Sequence, residues 1–328
     1  MAIQTTQSTG IAGSYQTYFT RKLLAAATQA VKLTDYATTA ELPLNSGAQT
    51  VRFYRRNTAS ASNVQVLTEG VAPTQYREVS FTPVDVTLHQ YGEVAKITDV
   101  LSWTQLFDVL KQSVQLMGED CALQADDITR NEIVTHVTSP GQARFSQGLA
   151  NYAALQAASA TAGRFTATDA LDAMTQLTLR RAPTKNGYYV GIVPPQIARD
   201  LMDDDRWVKA SQYSAVTQLF KGEVGMLYGI RFVVATNPFR ENGAGGTAQN
   251  TYDASGNIFT SIFTGTDGYG VVEMAGQGPF SPRTIIVDRA DKSDPLNQTI
   301  TAGWKAYWAA KLLNEDYVVT VRSKSAFA

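Results

Sequence analysis

The sequence predicts an α+β fold organised around one long helix and one pair of long strands. Three observations carry this. An apolar stripe with helical spacing runs through residues 102–137. Two alternating segments flank a polar excursion just ahead of it. Short helices and strands then follow without the regular β-α-β alternation of a parallel sheet.

The long helix is read from SWTQLFDVLKQSVQLMGEDCALQADDITRNEIVTHV. Phe107, Leu110, Val114, Met117, Cys121, Ala125 and Ile128 recur at steps of three and four, which keeps them on one face. The spacing predicts one unbroken helix over 102–137. Asp99 or Ser102 is placed to cap its start, and Ser139-Pro140-Gly141 to stop it. At 1.5 Å per residue, about 36 residues span about 54 Å. The stripe breaks at Gln124 and Asn131, and the flanking charges are not paired as in a coiled coil. A single spine lying across a sheet is therefore expected, with Asp126 and Asp127 on its solvated side.

The rest follows in order. Residues 1–13 are polar, and 15–34 form a short amphipathic helix. Tyr18, Phe19, Leu23, Leu24, Ala27 and Val31 mark its apolar side, and Arg21, Lys22 and Lys32 make it locally basic. It reads as a packing arm with at most weak, salt-sensitive, sequence-blind contact to nucleic acid. After a turn at Asn45-Ser46-Gly47, AQTVRFYRR alternates with Val51 and Phe53 on one face. Residues 57–82 are polar. VDVTLHQYGEVAKITD then returns as a second long strand, with Val84, Val86 and Leu88 alternating and a bulge expected at Gly92. Such strands reach about 30 Å. A two-stranded ribbon that stands away from its core is marginal alone, so a neighbouring molecule is expected to cover it.

Residues 141–166 read as a loop with helical pieces. Thr168 is expected to cap a helix with Leu171, Met174, Leu177 and Leu179 inward, ended by Pro183 and Gly187. GYYVGIV is a buried strand, and Pro194-Pro195 opens a helix. Residues 208–221 continue as helix or loop. VGMLYGIRFVVATN turns at Gly229 into a strand, 241–257 is a Gly/Asn loop, and IFTSIFT, YGVVEMAG and RTIIVDRA are strands. Trp304, Tyr307 and Trp308 lie near a short helix or strand. Residues 317–322 close the chain as a strand with Val319 and Val321 on one side.

Composition excludes several function classes. The 328 residues are 17% charged and 44% hydrophobic, an ordinary globular balance with length for two cores. A formal charge of −1 is unlike a dedicated DNA-binding domain and lets many copies pack without large repulsion. One cysteine forbids an internal disulfide, and Cys121 reads as a small buried hydrophobe. The polar start has no signal-peptide pattern, and no apolar run approaches a membrane span, so a cytosol-like compartment is expected.

Catalytic motifs are absent. There is no GxxxxGK[ST], GxGxxG or GxSxG, and Gly268-Tyr269-Gly270 is a turn signal. His89, His136 and Cys121 would form a metal site only if folding gathered all three; a sheet-surface and a helix-end histidine are the simpler reading. Asp203-Asp204-Asp205 reads as a solvated helix end pairing with Arg206 and Lys209, the alternative being a divalent-cation site. Trp304, Tyr307 and Trp308 read as core rather than a ligand platform. No catalytic, cofactor-binding or metal-binding residue is assigned.

Three stretches carry a resemblance. They are GIVPPQIARDLMDDDRW with Pro195, Leu201, Asp205, Arg206 and Trp207; LFKGEVGMLYGIRFVVATN with Phe220, Gly222, Glu223, Gly225, Gly229, Arg231, Phe232 and Val233; and GWKAYWAAKLLNEDYVV with Gly303, Trp304, Lys305, Leu313 and Tyr317. Together with the hairpin-then-spine order, they resemble the major capsid proteins of tailed bacteriophages with the Hong Kong 97-type (HK97-like) fold. The resemblance implies an N-terminal arm (1–47) and an extended β-hairpin loop with flanking strands (48–100). It implies a spine helix with the peripheral domain (101–184), an axial domain (185–290) and a final strand returning to the peripheral sheet (291–328). It implies self-assembly of hexamers and pentamers into an icosahedral shell around double-stranded DNA in the virion, put together in the host cytoplasm. The partners it implies are a scaffolding protein, a portal and a decoration protein. Some such proteins weld neighbours through a loop lysine, but 57–82 holds no lysine, so non-covalent contacts are expected here. The alternatives are a cellular nanocompartment shell of the same fold and, from another class, an enzyme built on the acidic run and aromatics.

Overall fold

The structure is a computed structural model. It describes residues 32–42, 49–56, 66–67, 69–72, 80–104, 108–207, 223–237, 239–241, 253, 256–274, 282–287, 296 and 298–327. The expected arm helix before residue 32, most of the polar excursion, 208–221 and most of 241–257 lie outside these.

The strands are β1 (Thr38–Leu42), β2 (Thr50–Arg56), β3 (Phe81–Thr87) and β4 (His89–Thr98). β2 and β3 form the hairpin, from Thr50 opposite Thr87 to Arg56 opposite Phe81. The chain then changes partner at buried Leu88: β4 runs antiparallel along β13 (Thr299–Leu312), from Thr98 opposite Thr299 to His89 opposite Trp308. The expected bulge at Gly92 is absent, since pairing continues through Gly92 and Lys305. Glycine serves a close approach there, because a Cβ would lie 2.7 Å from the Trp304 carbonyl oxygen.

The long helix is real but shorter than expected. A short helix α1 (Asp99–Thr104) comes first, and the spine α2 runs Val109–His136. Asp108 between them is extended (φ −70°, ψ 91°), and its carboxylate accepts the Lys111 N–H. A cap satisfies free amides only by leaving helical geometry itself, and apolar spacing runs across it unaltered. Asp99, not Ser102, opens α1 and accepts the Val100 N–H; Ser102 lies inside the helix. From Leu110 to Ile128 the stripe holds, Phe107 lying outside the described residues: Val114, Met117, Cys121 and Ala125 pack on Ala302, Trp304, Ala306 and Trp308 of β13. Trp304 and Trp308 are core residues of a fourteen-residue strand.

Around β13, β4 and β12 (Arg283–Val287) pair with the same residues and so flank it, while β11 (Tyr269–Met274) takes its end. β1 lies parallel to β11 and completes a five-stranded sheet.

The second sheet has seven strands. β5 (Ala143–Phe145), β14 (Val318–Lys324), β10 (Ile258–Thr264), β6 (Tyr189–Val193), β8 (Ile230–Val234) and β7 (Glu223–Leu227) lie in that order, with β9 (Phe239–Glu241) also on β10. A small helix α3 (Tyr152–Ala157) adjoins them, and α4 (Ala167–Leu179) and α5 (Pro195–Met202) pack over Phe232, Phe259, Phe263 and Val319. Pro195 opens α5 as expected. Tyr228 (φ 50°) and Gly229 (φ 75°) make the two-residue turn between β7 and β8, both left-handed as a type I′ hairpin requires.

Two expectations shift here. α4 is capped by Thr166, not Thr168, through a reciprocal box with Asp169. Its buried face is therefore Ala167, Ala170, Ala173 and Leu177, leaving Leu171 and Met174 half-buried and Leu179 exposed. The last segment is divided. β13 joins the five-stranded sheet, but β14 crosses to the seven-stranded sheet, where it pairs with β10 and β5. The crossing follows from Leu313 and Asn314 both donating to the Gly268 carbonyl, with a 3-10 turn at Glu315–Tyr317 turning the chain.

Candidate assembly surface

The hairpin has two unlike faces. Val86 and Leu88, with Val51 and Phe53 beside them, pack on Leu42, Val272, Ala309 and Tyr307. Arg55 Nη1 donates to Asn314 Oδ1 at 3.2 Å. The ribbon's base thus lies on the chain's own body, rather than standing clear of it as expected. The opposite face is open. It carries exposed Tyr54 and Phe81 and a forked Arg52–Asp85 pair at 2.6 and 2.8 Å. The Arg52 hydrogen bond holds the Asp85 carboxyl below its usual range. Beyond the strands, Val66, Leu67 and Val71 are exposed around Glu69 and Gly70.

The five-stranded sheet is also half-covered. α2 fills the side of Ala302, Trp304, Ala306 and Trp308. On the other side, Val94, Gly303 and Ile285 stand in one cross-strand row. The neighbouring rows are Lys96–Thr301–Val287 and Gly92–Lys305–Arg283. Val94, Ile285 and Val287 are exposed, so the strip is apolar with a basic margin.

Residues 32–37 pack against the spine and the seven-stranded sheet and lead into β1 of the five-stranded sheet. Asp126, expected on the solvated side of the spine, is only 1% exposed. Its carboxylate accepts the Lys32 N–H (3.0 Å) and the Leu33 N–H (3.2 Å), and the buried Tyr269 hydroxyl donates to the Leu33 carbonyl (2.6 Å). Burial outweighs these bonds and pushes the Asp126 carboxyl up to about 6. The sequence carries a signal for this: Gly118, Ala122, Asp126 and Arg130 recur at steps of four and form a second buried row beside the first.

The remaining candidates separate. Asp203 pairs with Arg164 (3.0 Å), and Asp204 accepts the Ala167 and Arg206 N–H groups, so the acidic run steadies the start of α4. Lys209 lies outside the described residues. Cys121 is buried, which raises its thiol pKa. His89 is exposed on β4, and His136 sits 3.3 Å from Glu132 at the end of α2. Among the described residues no group of three or more His, Cys, Asp or Glu is placed to hold a metal, and no helix is long and apolar enough to cross a membrane. A cleft of about 430 Å³ beside β5 is lined by Arg144, Phe145, Leu149 and Arg322 but by no histidine, cysteine or carboxylate. A second, of about 330 Å³, holds His89, Asp85 and Glu132, but Asp85 is committed to Arg52 and Glu132 to Lys311 at 2.8 Å. Sequence reasoning missed the buried pair of Arg322 with Glu241, 3.0 Å apart.

No family model matches the chain, and no curated protein matches it. Solved structures do. The capsid of cyanophage P-SCSP1u aligns with a TM-score of 0.64 at 16% identity, over 90% of this chain and 89% of that one. The capsid of Ralstonia phage GP4 aligns with 0.64 at 12% identity, over 90% and 92%. This is the Hong Kong 97-type capsid fold. An encapsulin complex from Synechococcus elongatus has the same fold at a TM-score of 0.53 and 10% identity, over 89% of this chain and 87% of that one.

Proposed function

We propose that this chain is a shell-forming structural protein without catalysis, the major capsid protein of a tailed phage. The observation that carries the reading is the hairpin: one face is satisfied on the chain's own body, while Tyr54, Phe81, Val66, Leu67 and Val71 face outward. Exposed apolar residues at this density on an extended ribbon mark a protein interface. The basic-edged apolar strip of Val94, Ile285 and Val287 with Lys96, Lys305 and Arg283 suits the apolar, Glu69-bearing loop of a neighbour.

In this reading 1–47 is an arm and 48–100 an extended loop laid over an adjacent subunit. Residues 101–184 and β13 contribute the periphery, and 185–290 together with β14 the axial region. Hexamers and pentamers close a shell around double-stranded DNA, each copy held by several neighbours at once. A scaffolding protein, a portal and a decoration protein are the partners, assembly takes place in the host cytoplasm, and the bonds between subunits are non-covalent. Deleting residues 57–80 should leave a folded chain that sediments as a monomer. Shells from that deletion would contradict the reading. The encapsulin likeness supports a second reading, a nanocompartment. Nucleic-acid content decides between them: particles from the native source with a 260 nm-dominated spectrum hold a genome, and particles with a co-purifying enzyme hold cargo.

A further inference from the structure

The segment 32–42 meets the body through two carboxylate contacts of an unusual kind. At one end, Asp126 sits fully buried under the Lys32 and Leu33 amides. At the other, β1 lies parallel to β11 in a register that sets Glu41 beside Glu273. Two like charges on paired strands repel. Glu273 is 5% exposed, and its Oε1 is buried without a hydrogen-bond partner. The segment makes further contacts along its length. Leu33 is a core residue, Lys185 Nζ donates to the Asp35 carbonyl (3.2 Å), and Leu42 packs against the hairpin base.

We propose that residues 32–42 form a proton-linked strap, whose docking between spine and sheet tightens in acid and loosens as pH rises to neutral. The charged and titratable groups around Asp126 are Asp127 and Arg130 on α2, Tyr269 on β11, and Lys32 and Asp35 on the strap. Arg130 favours the charged form and Asp127 opposes it, but burial dominates both. Around Glu273, burial comes first and Glu41 second, and both favour the protonated form. The sign is the same at both ends. A carboxyl whose docked pKa lies above its free value adds to docking at low pH. For Asp126 that contribution is complete below about pH 4, the ordinary carboxylate value, and is lost as pH rises through about 6. Asp126 alone then weakens docking about tenfold between pH 5 and pH 8. Leu42 at the end of the strap packs on the hairpin base, so the hairpin base shares this dependence.

The inference does not rest on the shell reading, because its test uses the full-length chain in any assembly state. Amide hydrogen exchange of residues 33–42, corrected for intrinsic rates, should lose about tenfold in protection from pH 5 to pH 8, while β10 amides stay constant. Asp126→Asn keeps an acceptor for the two amides without the charge and should flatten that slope. Glu41→Gln, at an exposed position, should raise protection at pH 8 with no effect on folding. Protection that is flat or rising with pH in the parent chain overturns the proposal, as does a parental slope in both variants.

Discussion

Arg322 and Glu241 are 2% and 0% exposed and touch at 3.0 Å, with Thr260 also donating to Glu241. Taking two charges out of water is costly, and their attraction offsets this only while both remain. Glu241→Gln should therefore destabilise the chain by about 3–5 kcal/mol, measured by urea unfolding. Replacing both by hydrophobic residues should cost far less, and equal losses would mean the pair is not coupled. Neither partner was legible as buried. Arg322 sits in a strand whose apolar side is read from Val319 and Val321, and Glu241 opens what reads as a Gly/Asn loop. Asp126 was hidden differently. Its neighbour Asp127 is half-exposed and paired with Arg130 at 2.9 Å, so an acidic doublet on a helix straddles the boundary between core and solvent. Spacing located that boundary one row too narrow. Cys121, Trp304 and Trp308 were read correctly as core, because apolar side chains at regular spacing leave little choice.

At the scale of elements, periodicity revealed what exists and missed where partners change. The hairpin strands, β6, β10, β11 and β12 stand where alternation or short apolar runs placed them. The switch at Leu88 leaves no trace in alternation, since a strand keeps its period of two while its partner changes. β13 was ambiguous because Ala and Leu around Trp304 and Trp308 also suit a helix; the period-two row of Trp304, Ala306 and Trp308 is the deciding sign. The start of the spine turned on one carboxylate. Asp108→Ala should cost about 1 kcal/mol and fray the first turn of α2, seen as lost amide protection at Lys111. Unchanged protection there would show that packing alone fixes the helix start.

For the molecule as a whole, the two larger sheets each bury a core, and α2 seals one side of the five-stranded sheet. The α+β class and the order of hairpin, spine and mixed sheets were legible in the sequence. The crossing of β14 to the seven-stranded sheet was not, because it depends on two amides meeting the Gly268 carbonyl rather than on any pattern in the strand. Among the described residues, half of the exposed large apolar side chains lie on the outer ribbon face, the loop and the open side of one sheet. An isolated molecule gains nothing from such surfaces, whereas in the proposed shell neighbouring copies would cover them. The most direct test is sedimentation of the purified full-length chain, with negative-stain imaging of what sediments. The account predicts megadalton closed or partly closed shells that boiling detergent reduces to a single 35.6 kDa band. A stable monomer at high concentration, or a ladder of covalent multimers from the shells, would contradict it.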